Sequence, residues 1–156
     1  MTVSNVNDSS RVRLLQNHDL DRWRTLWQGY MSFYRADVSD DLSDLTFKRL
    51  RDGEQGMVGL VAVDADDHPL GLAHLVFHPS TWSESGYGYL EDLYVDPLHR
   101  GGQVARTLVR AVYAEAHERG VQRVYWHTQQ FNGAARSLYD TVGELTSFVV
   151  YEHLTG

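Results

Sequence analysis

The stretch LEDLYVDPLHRGGQVARTLVRAVYAEA, residues 90–116, constrains the fold more than any other part of the chain. It opens as an apolar β-strand pattern, stops at Pro97, and then passes Arg100 and two glycines. From about Val104 the apolar residues recur every three or four positions, which predicts a helix. A strand that leads into a helix and then into another strand favours an α/β fold with a parallel strand pair.

The rest of the chain predicts two helices, a hairpin and then a β-α-β-α-β order within one domain at 11–156. Aromatic and apolar residues with helical spacing extend over 19–35, and a second helix is expected over 41–51, ended by Gly53. Two short apolar runs, 57–64 and 69–78, flank the cluster ADDHP and predict a hairpin. The other expected elements are a first strand at 11–16, a loop at 78–88, strands at 89–96, 122–128 and 147–154, and helices at 104–119 and 133–143.

The glycine-rich junction is a candidate anion site. A helix that starts beside glycines leaves backbone N–H groups unsatisfied at its positive dipole end, and glycine lets a phosphate approach the backbone. Arg100 adds a permanent cation with several donors. The segment HRGGQVA therefore fits a pyrophosphate cradle, while glycines that serve turn geometry alone are the alternative. The segment matches neither a Walker loop nor the G-x-G-x-x-G pattern.

Composition excludes several classes of function. The chain has no cysteine, which excludes disulfides, thiolate zinc sites and cysteine nucleophiles. Its formal net charge of -7 argues against nucleic acid as a partner and is compatible with a cationic substrate. His74 and His78 stand in a predicted strand, about 13 Å from one another, so no metal site is expected. The G-x-S-x-G pattern of serine hydrolases is absent.

The hydropathy pattern predicts no membrane span, since no apolar run approaches about 20 residues. The opening residues MTVSNVNDSS lack the basic and apolar regions of a secretion signal. We therefore expect a flexible tail over 1–10, a cytoplasmic location and no membrane partner.

Residues 90–151 resemble the acetyl-CoA-binding half of the GNAT family of N-acetyltransferases. The family signature is Arg or Gln, two free positions, Gly, one free position, and Gly or Ala; Arg100 and Ala105 fit its ends, whereas Gln103 occupies the inner glycine position. YLEDLYVDP is similar to the family's central strand. WHTQQFNGAARSLYDTVG is similar to the next strand and helix, with Asn132 seven residues before Tyr139. Within the family, LEDLYV, VYWHT and the final aromatic strand are most like the histone, polyamine and D-amino-acid acetyltransferase branch.

The resemblance implies the GNAT fold, a central twisted mixed β-sheet flanked by about four helices. It implies acetyl-CoA as cosubstrate, no metal, and direct acetyl transfer to the primary amine of a small amine, polyamine, amino acid or basic peptide tail. The alternative is a catalytically silent acyl-CoA-binding or sensing module of the same fold, which Gln103 keeps open. The last strand, FVVYEHL, is apolar and aromatic and predicts a homodimer through pairing or exchange at a sheet edge.

An amine acceptor sets the chemical requirements of the site. At pH 7 an alkyl amine with a pKa near about 10 is protonated and has no lone pair, so a base must remove a proton before attack on the thioester. Glu91 is the candidate base, acting directly or through a water, and Asp92 is its neighbour. Adjacent strand residues point to opposite faces, so both reach one pocket only if a bulge intervenes, as the resemblance implies. Tyr139 is the candidate acid for the leaving thiolate. The alternatives are pairing of either carboxylate with a buried arginine, and core packing of Tyr139.

The cofactor-binding candidates lie on the central strand, the junction and the start of the last helix. The backbone N–H of Val95 is a candidate oxyanion donor, although the side chains of Leu93 and Val95 fit core positions. Asn132 is a candidate ligand of the pantetheine arm and, alternatively, a helix N-cap. The full set is Leu93, Tyr94, Val95, Arg100, Gly101, Gly102, Gln103, Val104, Ala105, Asn132 and Ala135. The acceptor-site candidates are Asp92, Tyr30, Phe33, Tyr34 and Trp82, of which the three on the first helix also fit core positions.

Overall fold

The computed structural model describes residues 10–156, which form a five-stranded sheet in the order β1-β2-β3-β4-β5 with helices on both faces. The predicted mixed α/β fold is therefore confirmed. The predicted tail over 1–10 lies, except for Ser10, outside the described residues. Within 10–156, none of the helices combines the length and the apolar character that crossing a bilayer requires. The elements are β1 (Arg11–Leu14), α1 (Leu20–Phe33), α2 (Asp40–Asp52), β2 (Met57–Val63), β3 (Pro69–Ser80), β4 (Ser83–Val95), α3 (Val104–Glu118), β5 (Val124–Tyr125) and α4 (Gly133–Val142).

The sheet is mixed. Strands β1 to β4 pair antiparallel in chain order; turns join β2 to β3 and β3 to β4, while α1 and α2 lie between β1 and β2. Strand β5 is parallel to β4, and α3 connects the two strands. The parallel pair predicted from the strand–helix–strand pattern is confirmed. Its ladder contains two register positions, Gly88 with Val124 and Tyr89 with Tyr125.

Two apolar layers hold the sheet, one on each face. Side chains alternate along β2 and β3, so neighbouring residues pack on opposite layers. The layer under α3 contains Leu60, Ala62, Ala73, Leu75, Val104, Leu108 and Val112. The layer under α1 and α2 contains Trp23, Leu26, Trp27, Phe47, Leu50, Val61, Val63 and Leu72. Burying both layers supplies most of the driving force for folding.

Local sequence signals explain the helix boundaries. The Ser39 hydroxyl accepts a hydrogen bond from the Leu42 N–H (3.2 Å) at the start of α2, and Gly53 ends this helix in a left-handed conformation, φ 71°. In the middle of α1, Gly29 allows the phenol of Tyr94 to lie against the helix, since a Cβ there would meet the phenol oxygen at 2.5 Å. The glycine that weakens α1 as a helix therefore serves tertiary packing.

The predicted loop at 78–88 is wrong. Strand β3 continues to Ser80, β4 begins at Ser83, and the two pair across a tight turn. The polar segment can pair because Gly86 adopts φ +77°, and a Cβ at that position would lie 2.3 Å from the carbonyl oxygen of His78. Irregular pairing of this kind lacks the apolar alternation that identifies strands in a sequence.

The predicted strands at 122–128 and 147–154 are also revised. The first is reduced to Val124–Tyr125, and the second has no strand pairing. The apolar side chains of the last segment are largely exposed, with Tyr151 at 93% and Phe148 at 77%. Residues 147–154 have the composition of a strand, but they pair with no other strand within residues 10–156.

Candidate active site

A β-bulge places two carboxylates at one pocket. In the β3–β4 ladder, His74 pairs with Asp92 and Leu75 pairs with Leu90, so Glu91 has no partner on β3. The extra residue changes the side-chain alternation. Glu91 and Asp92 consequently both line a cavity of about 240 Å³, together with Trp27 and His74. The bulge expected from the resemblance is present.

Asp92 is held by a histidine rather than by an arginine. The Asp92 Oδ2 atom lies 2.8 Å from His74 Nδ1, and His74 Nε2 lies 3.0 Å from the indole Nε1 of Trp23. His74 is 2% exposed and Trp23 is fully buried. The sequence interpretation left His74 without a role once metal binding was discounted. Its placement in an otherwise apolar strand, at an inward-facing position, was the available signal.

Glu91 stands at the mouth of the cavity. Its side chain reaches solvent, but partial enclosure of the carboxyl, followed by the nearby charge of Asp92, raises its pKa above that of an ordinary glutamate. A carboxylate with a raised pKa is a stronger base than an exposed one. Within 10–156 no cluster of three or more His, Asp or Glu side chains has the arrangement of a metal site.

Aromatic residues of α1 surround the acidic pocket. Tyr30 stacks on Trp27 with ring centroids 5.7 Å apart and meets Tyr34 edge-on at 4.9 Å. Burial and the neighbouring Asp92 raise the pKa of Tyr30, so this phenol remains protonated and available as a donor. Phe33 contacts Tyr34 and is 54% exposed. Trp82 is different: it lies in the β3–β4 turn, 86% exposed and about 25 Å along β4 from Glu91, so the structure does not bring it to the pocket.

The glycine junction is open. Gly101 has φ +79°, which favours glycine. Gly102 does not have such a backbone, and a Cβ there would meet nothing closer than the His99 carbonyl oxygen at 4.0 Å. Gln103, at the N-cap position of α3, makes no side-chain cap hydrogen bond. Arg100 donates from Nε to the Val95 carbonyl (3.0 Å), and its guanidinium lies 5.1 Å from the Tyr94 ring centroid. The amides that open α3 and a fixed cation therefore border unfilled space, which fits a diphosphate.

Strand β4 has a free edge beside this junction. Its pairing with β5 ends at Tyr89, so from Glu91 to Val95 the side of β4 that faces away from β3 has no strand neighbour within 10–156. Leu93 packs towards α3 and Tyr94 towards α1, and Val95 is 8% exposed. The side chains of this segment therefore serve the core, while the main-chain groups at its free edge, apart from the Val95 carbonyl that Arg100 engages, remain for a ligand.

Helix α4 brings Asn132 and Tyr139 to the same region. The Asn132 Oδ1 accepts a hydrogen bond from the Ala135 N–H (3.3 Å), which makes Asn132 an N-cap, as one of the two interpretations predicted. Burial raises the pKa of Tyr139 to about 12, with a smaller contribution from Tyr34. The Tyr139 ring meets Trp126 edge-on, with ring centroids 5.5 Å apart.

A larger cavity, about 1150 Å³, lies between β5, α4 and the segment 143–150, and Tyr139 is among its lining residues. Glu91, Asp92 and the glycine junction are outside it, so we place the chemistry at the smaller, acidic pocket. Comparison with known proteins then decides the family, because a profile described as "Acetyltransferase (GNAT) family" matches residues 23–143.

The chain belongs to the GNAT acetyltransferase family. It is 32% identical over 148 residues to the D-amino-acid N-acetyltransferase HPA3 of Saccharomyces cerevisiae, covering 94% of this chain and 92% of that protein. It is also 36% identical over 76 residues to the thialysine N-epsilon-acetyltransferase of Caenorhabditis elegans, covering 49% of this chain and 47% of that protein. The prediction of an N-acetyltransferase enzyme is confirmed.

Solved structures share the fold of this GNAT acetyltransferase. A probable acetyltransferase superposes with a TM-score of 0.82 at 24% identity, covering 94% of this chain and 98% of the other. The aminoglycoside acetyltransferase AAC(6')-Iy, in complex with the bisubstrate analogue CoA-S-monomethyl-acetylneamine, superposes with a TM-score of 0.80 at 19% identity, covering 94% and 99%. At these identities the likeness establishes the fold, which acetyltransferases share.

Proposed function

We propose that this N-acetyltransferase moves the acetyl group of acetyl-CoA directly to the primary amine of a small amine, polyamine, amino acid or basic peptide tail. The observation that carries the proposal is the bulge at Glu91, which brings two carboxylates to one pocket beside the free edge of β4. The relatives named for D-amino acids and thialysine support an amine acceptor. The absence of cysteine supports transfer without a thiol-bound acyl-enzyme.

Acetyl-CoA supplies an activated acetyl thioester, and this chain supplies the surface that holds it. The amides from Gly101 to Ala105 and the Arg100 guanidinium would hold the diphosphate, because a helix N-terminus favours anions. The main chain from Leu93 to Val95 would hold the pantetheine arm, and the Val95 N–H would donate to the acetyl oxygen. The side-chain amide of Asn132 is a further donor, since its Oδ1 is engaged by Ala135.

Each carboxylate of the pocket has a separate role. Asp92, fixed by His74, attracts the ammonium form of the acceptor, and the aromatic rings of Tyr30 and Tyr34 add cation–π attraction. Glu91, with its raised pKa, removes the proton that the amine must lose before it becomes a nucleophile. Asp92 thus binds the acceptor as a cation, and the neighbouring Glu91 converts it to the neutral amine that reacts.

Tyr139 presents a phenol O–H to the departing thiolate. Its raised pKa, caused mainly by burial, keeps the phenol protonated throughout the physiological range. We expect Tyr139→Phe to lower kcat by about 10²-fold or more while leaving the KM for acetyl-CoA within a factor of about two. Steady-state kinetics with varied acetyl-CoA measures both. Tyr113→Phe is the control, because Tyr113 bonds the Val142 carbonyl between α3 and α4 (2.5 Å). Unchanged turnover in Tyr139→Phe would remove Tyr139 from the mechanism.

Gly102 gives a test of the diphosphate cradle. Because a methyl group at this position meets no protein atom within 4.0 Å except the His99 carbonyl oxygen at that limit, Gly102→Ala should leave the unfolding midpoint unchanged. The methyl group would instead keep the diphosphate from the amides, and we expect the KM for acetyl-CoA to rise about tenfold or more. The KM for the amine is the internal control. An unaltered acetyl-CoA KM in a normally folded variant would show that the diphosphate lies elsewhere.

The function itself is tested by thiol release from acetyl-CoA over a panel of acceptors. The panel contains D- and L-amino acids, thialysine, diamines, polyamines, aminoglycosides and lysine-rich peptides, and calorimetry with acetyl-CoA runs beside it. We expect binding together with turnover on at least one class of amine. Binding of acetyl-CoA without turnover on any acceptor would refute amine acetylation.

We also propose that residues 11–156 act as one catalytic domain and associate as a homodimer. The family match at 23–143 lies within this range, and the side chains of Phe148, Val150 and Tyr151 form an exposed apolar strip in the last segment of the chain. A second copy would cover this strip and extend the sheet. Sedimentation equilibrium measures the mass, and a variant that ends at Thr146 is expected to be monomeric. A full-length monomer at micromolar concentration would disprove the association.

A further inference from the structure

A buried hydrogen-bonded chain links α1, β3 and β4 to the acceptor pocket. The Trp23 indole, 51 residues before His74 in sequence, lies 3.0 Å from His74 Nε2, and His74 Nδ1 lies 2.8 Å from Asp92 Oδ2. His74 and Asp92 are also register partners across the β3–β4 ladder. The chain ends at the pocket, since Asp92 lines the cavity together with Glu91.

The donors along this chain determine the tautomer of the histidine. An indole N–H only donates, so His74 Nε2 must offer its lone pair to Trp23. The ring proton is then on Nδ1, which donates to the Asp92 carboxylate. A second proton on Nε2 would face the indole N–H with no acceptor in between. His74 is therefore a neutral imidazole whose only N–H points at Asp92.

Burying the polar His74 ring is energetically unfavourable, and packing alone does not explain why a histidine occupies this position. The His74 ring packs against the indoles of Trp23 and Trp27, with ring centroids 5.9 and 5.3 Å apart, and a polar ring is unfavourable in such surroundings unless its hydrogen bonds are satisfied. A leucine or methionine would fill such a position without that requirement. The group that gains from His74 is the Asp92 carboxylate, which receives a directional donor at one oxygen and keeps the other for the pocket.

We propose that His74 is a positioning residue that orients Asp92 towards the acceptor ammonium, with Trp23 fixing the imidazole tautomer. This inference rests on the amine acetylation proposed above. In this proposal His74 acts through Asp92 and not on the substrate or the reacting atoms. The expected kinetic signature is a change in the KM for the amine, with the KM for acetyl-CoA unchanged.

Two amide substitutions separate the two hydrogen bonds of His74. Asparagine places its NH₂ where His74 has Nδ1, so His74→Asn keeps a donor for Asp92. Glutamine reaches the position of Nε2, so His74→Gln keeps an acceptor for Trp23 and loses the donor to Asp92. Because a hydrogen bond to a charged group is lost, we expect His74→Gln to raise the amine KM about 10- to 100-fold. His74→Asn should have an amine KM much closer to that of the wild type. Both KM values are measured with the panel amine that has the highest kcat/KM.

A double-mutant cycle with Asp92→Asn distinguishes positioning from general support of the fold. If His74 acts through Asp92, the effect of His74→Gln on the amine KM disappears in the Asp92→Asn background. A purely structural histidine would produce the same change in both backgrounds, and that result would overturn the proposal. Equal amine KM values in His74→Gln and His74→Asn would also overturn it.

The tautomer is measured without any turnover. In protein labelled with ¹⁵N-histidine, we expect His74 to show a pyrrole-like Nδ1 and a pyridine-like Nε2 near pH 7. Trp23→Phe should shift this signal towards a mixture of tautomers, since the lone pair of Nε2 is no longer engaged. A pyrrole-like Nε2 or a doubly protonated ring in the wild type would overturn the proposal. If the ¹⁵N signals are as expected but no amine is acetylated, the proposed acetylation is wrong. The positioning role of His74, which depends on it, is then wrong as well.

Discussion

Replacement of Glu91 by glutamine is expected to lower kcat/KM for the amine by about 10²- to 10⁴-fold, the usual contribution of a general base. Glutamine keeps the shape and the hydrogen-bonding capacity of the side chain but accepts no proton. Because Glu91 is unpaired at the bulge and reaches solvent, the fold should tolerate the change, and acetyl-CoA affinity should stay the same. Initial rates with varied amine and calorimetry with acetyl-CoA measure the two quantities.

The pH profile adds a second readout for Glu91. Enclosure of its carboxyl and the charge of Asp92 raise its pKa, so the basic carboxylate form is lost as pH falls through a value above the ordinary value of about 4.3. The acidic limb of kcat/KM should therefore lie above that of an exposed glutamate, and Glu91→Gln should lack it. Glu84→Gln, on the same strand and exposed, is the matched control. Full activity in Glu91→Gln would assign the base elsewhere.

Replacement of Arg13 by methionine is expected to lower the free energy of unfolding by about 3–5 kcal/mol at pH 7. Arg13 donates two hydrogen bonds to Asp19, at 2.8 and 2.9 Å, and the Asp19 side chain is 1% exposed. Methionine preserves most of the apolar stem but leaves a buried carboxylate without its cation. Urea unfolding followed by circular dichroism measures the change.

The pH dependence of this loss has a defined sign. Burial on its own raises the pKa of Asp19, but hydrogen bonds from Arg13 and from the Gln16 N–H outweigh burial and lower it. The pair therefore stabilises the protein above the unfolded pKa of about 3.9, and this contribution is lost as pH falls through the lower folded pKa. The deficit of Arg13→Met should shrink as pH falls below about 4.

Arg11→Met is the matched control for the same strand. Arg11 bonds Asp67 at 2.6 Å, but its side chain is 59% exposed, so solvent screens the pair. We expect a change of about 0–1 kcal/mol. Equal losses for the two variants would contradict the assignment of the effect to the buried carboxylate.

The fold and the glycine-rich junction before α3 were largely predictable because their signals are local. Helical spacing, the glycine that ends α2 and the strand that leads into α3 are all read within windows of one element. The acidic pair, Glu91 and Asp92, was identified for the same reason. The strand pairing over 78–88 was missed because this segment, with its irregular register, shows neither alternation of apolar and polar residues nor β-branched composition.

The hydrogen-bonded chain through His74 could not be predicted from a sequence pattern. His74 obtains its meaning from Trp23 and Asp92, which are 51 and 18 residues away in sequence. Trp82 is the opposite case. As an aromatic residue it was a candidate for the acceptor pocket, but it lies exposed in the β3–β4 turn. The strand predicted at 147–154 has the right composition but pairs with no other strand of residues 10–156.

The amino-acid sequence by itself determined the helices α1 to α4, the glycine junction before α3, and the presence of two adjacent carboxylates, since each depends on neighbours within a few residues. The tertiary structure decided which face those carboxylates occupy, through a bulge whose register is set by β3. It also decided which side chain fixes Asp92 and where β5 leaves β4. These features arise from contacts between segments distant in the chain, and such contacts follow from packing of the whole molecule rather than from local periodicity.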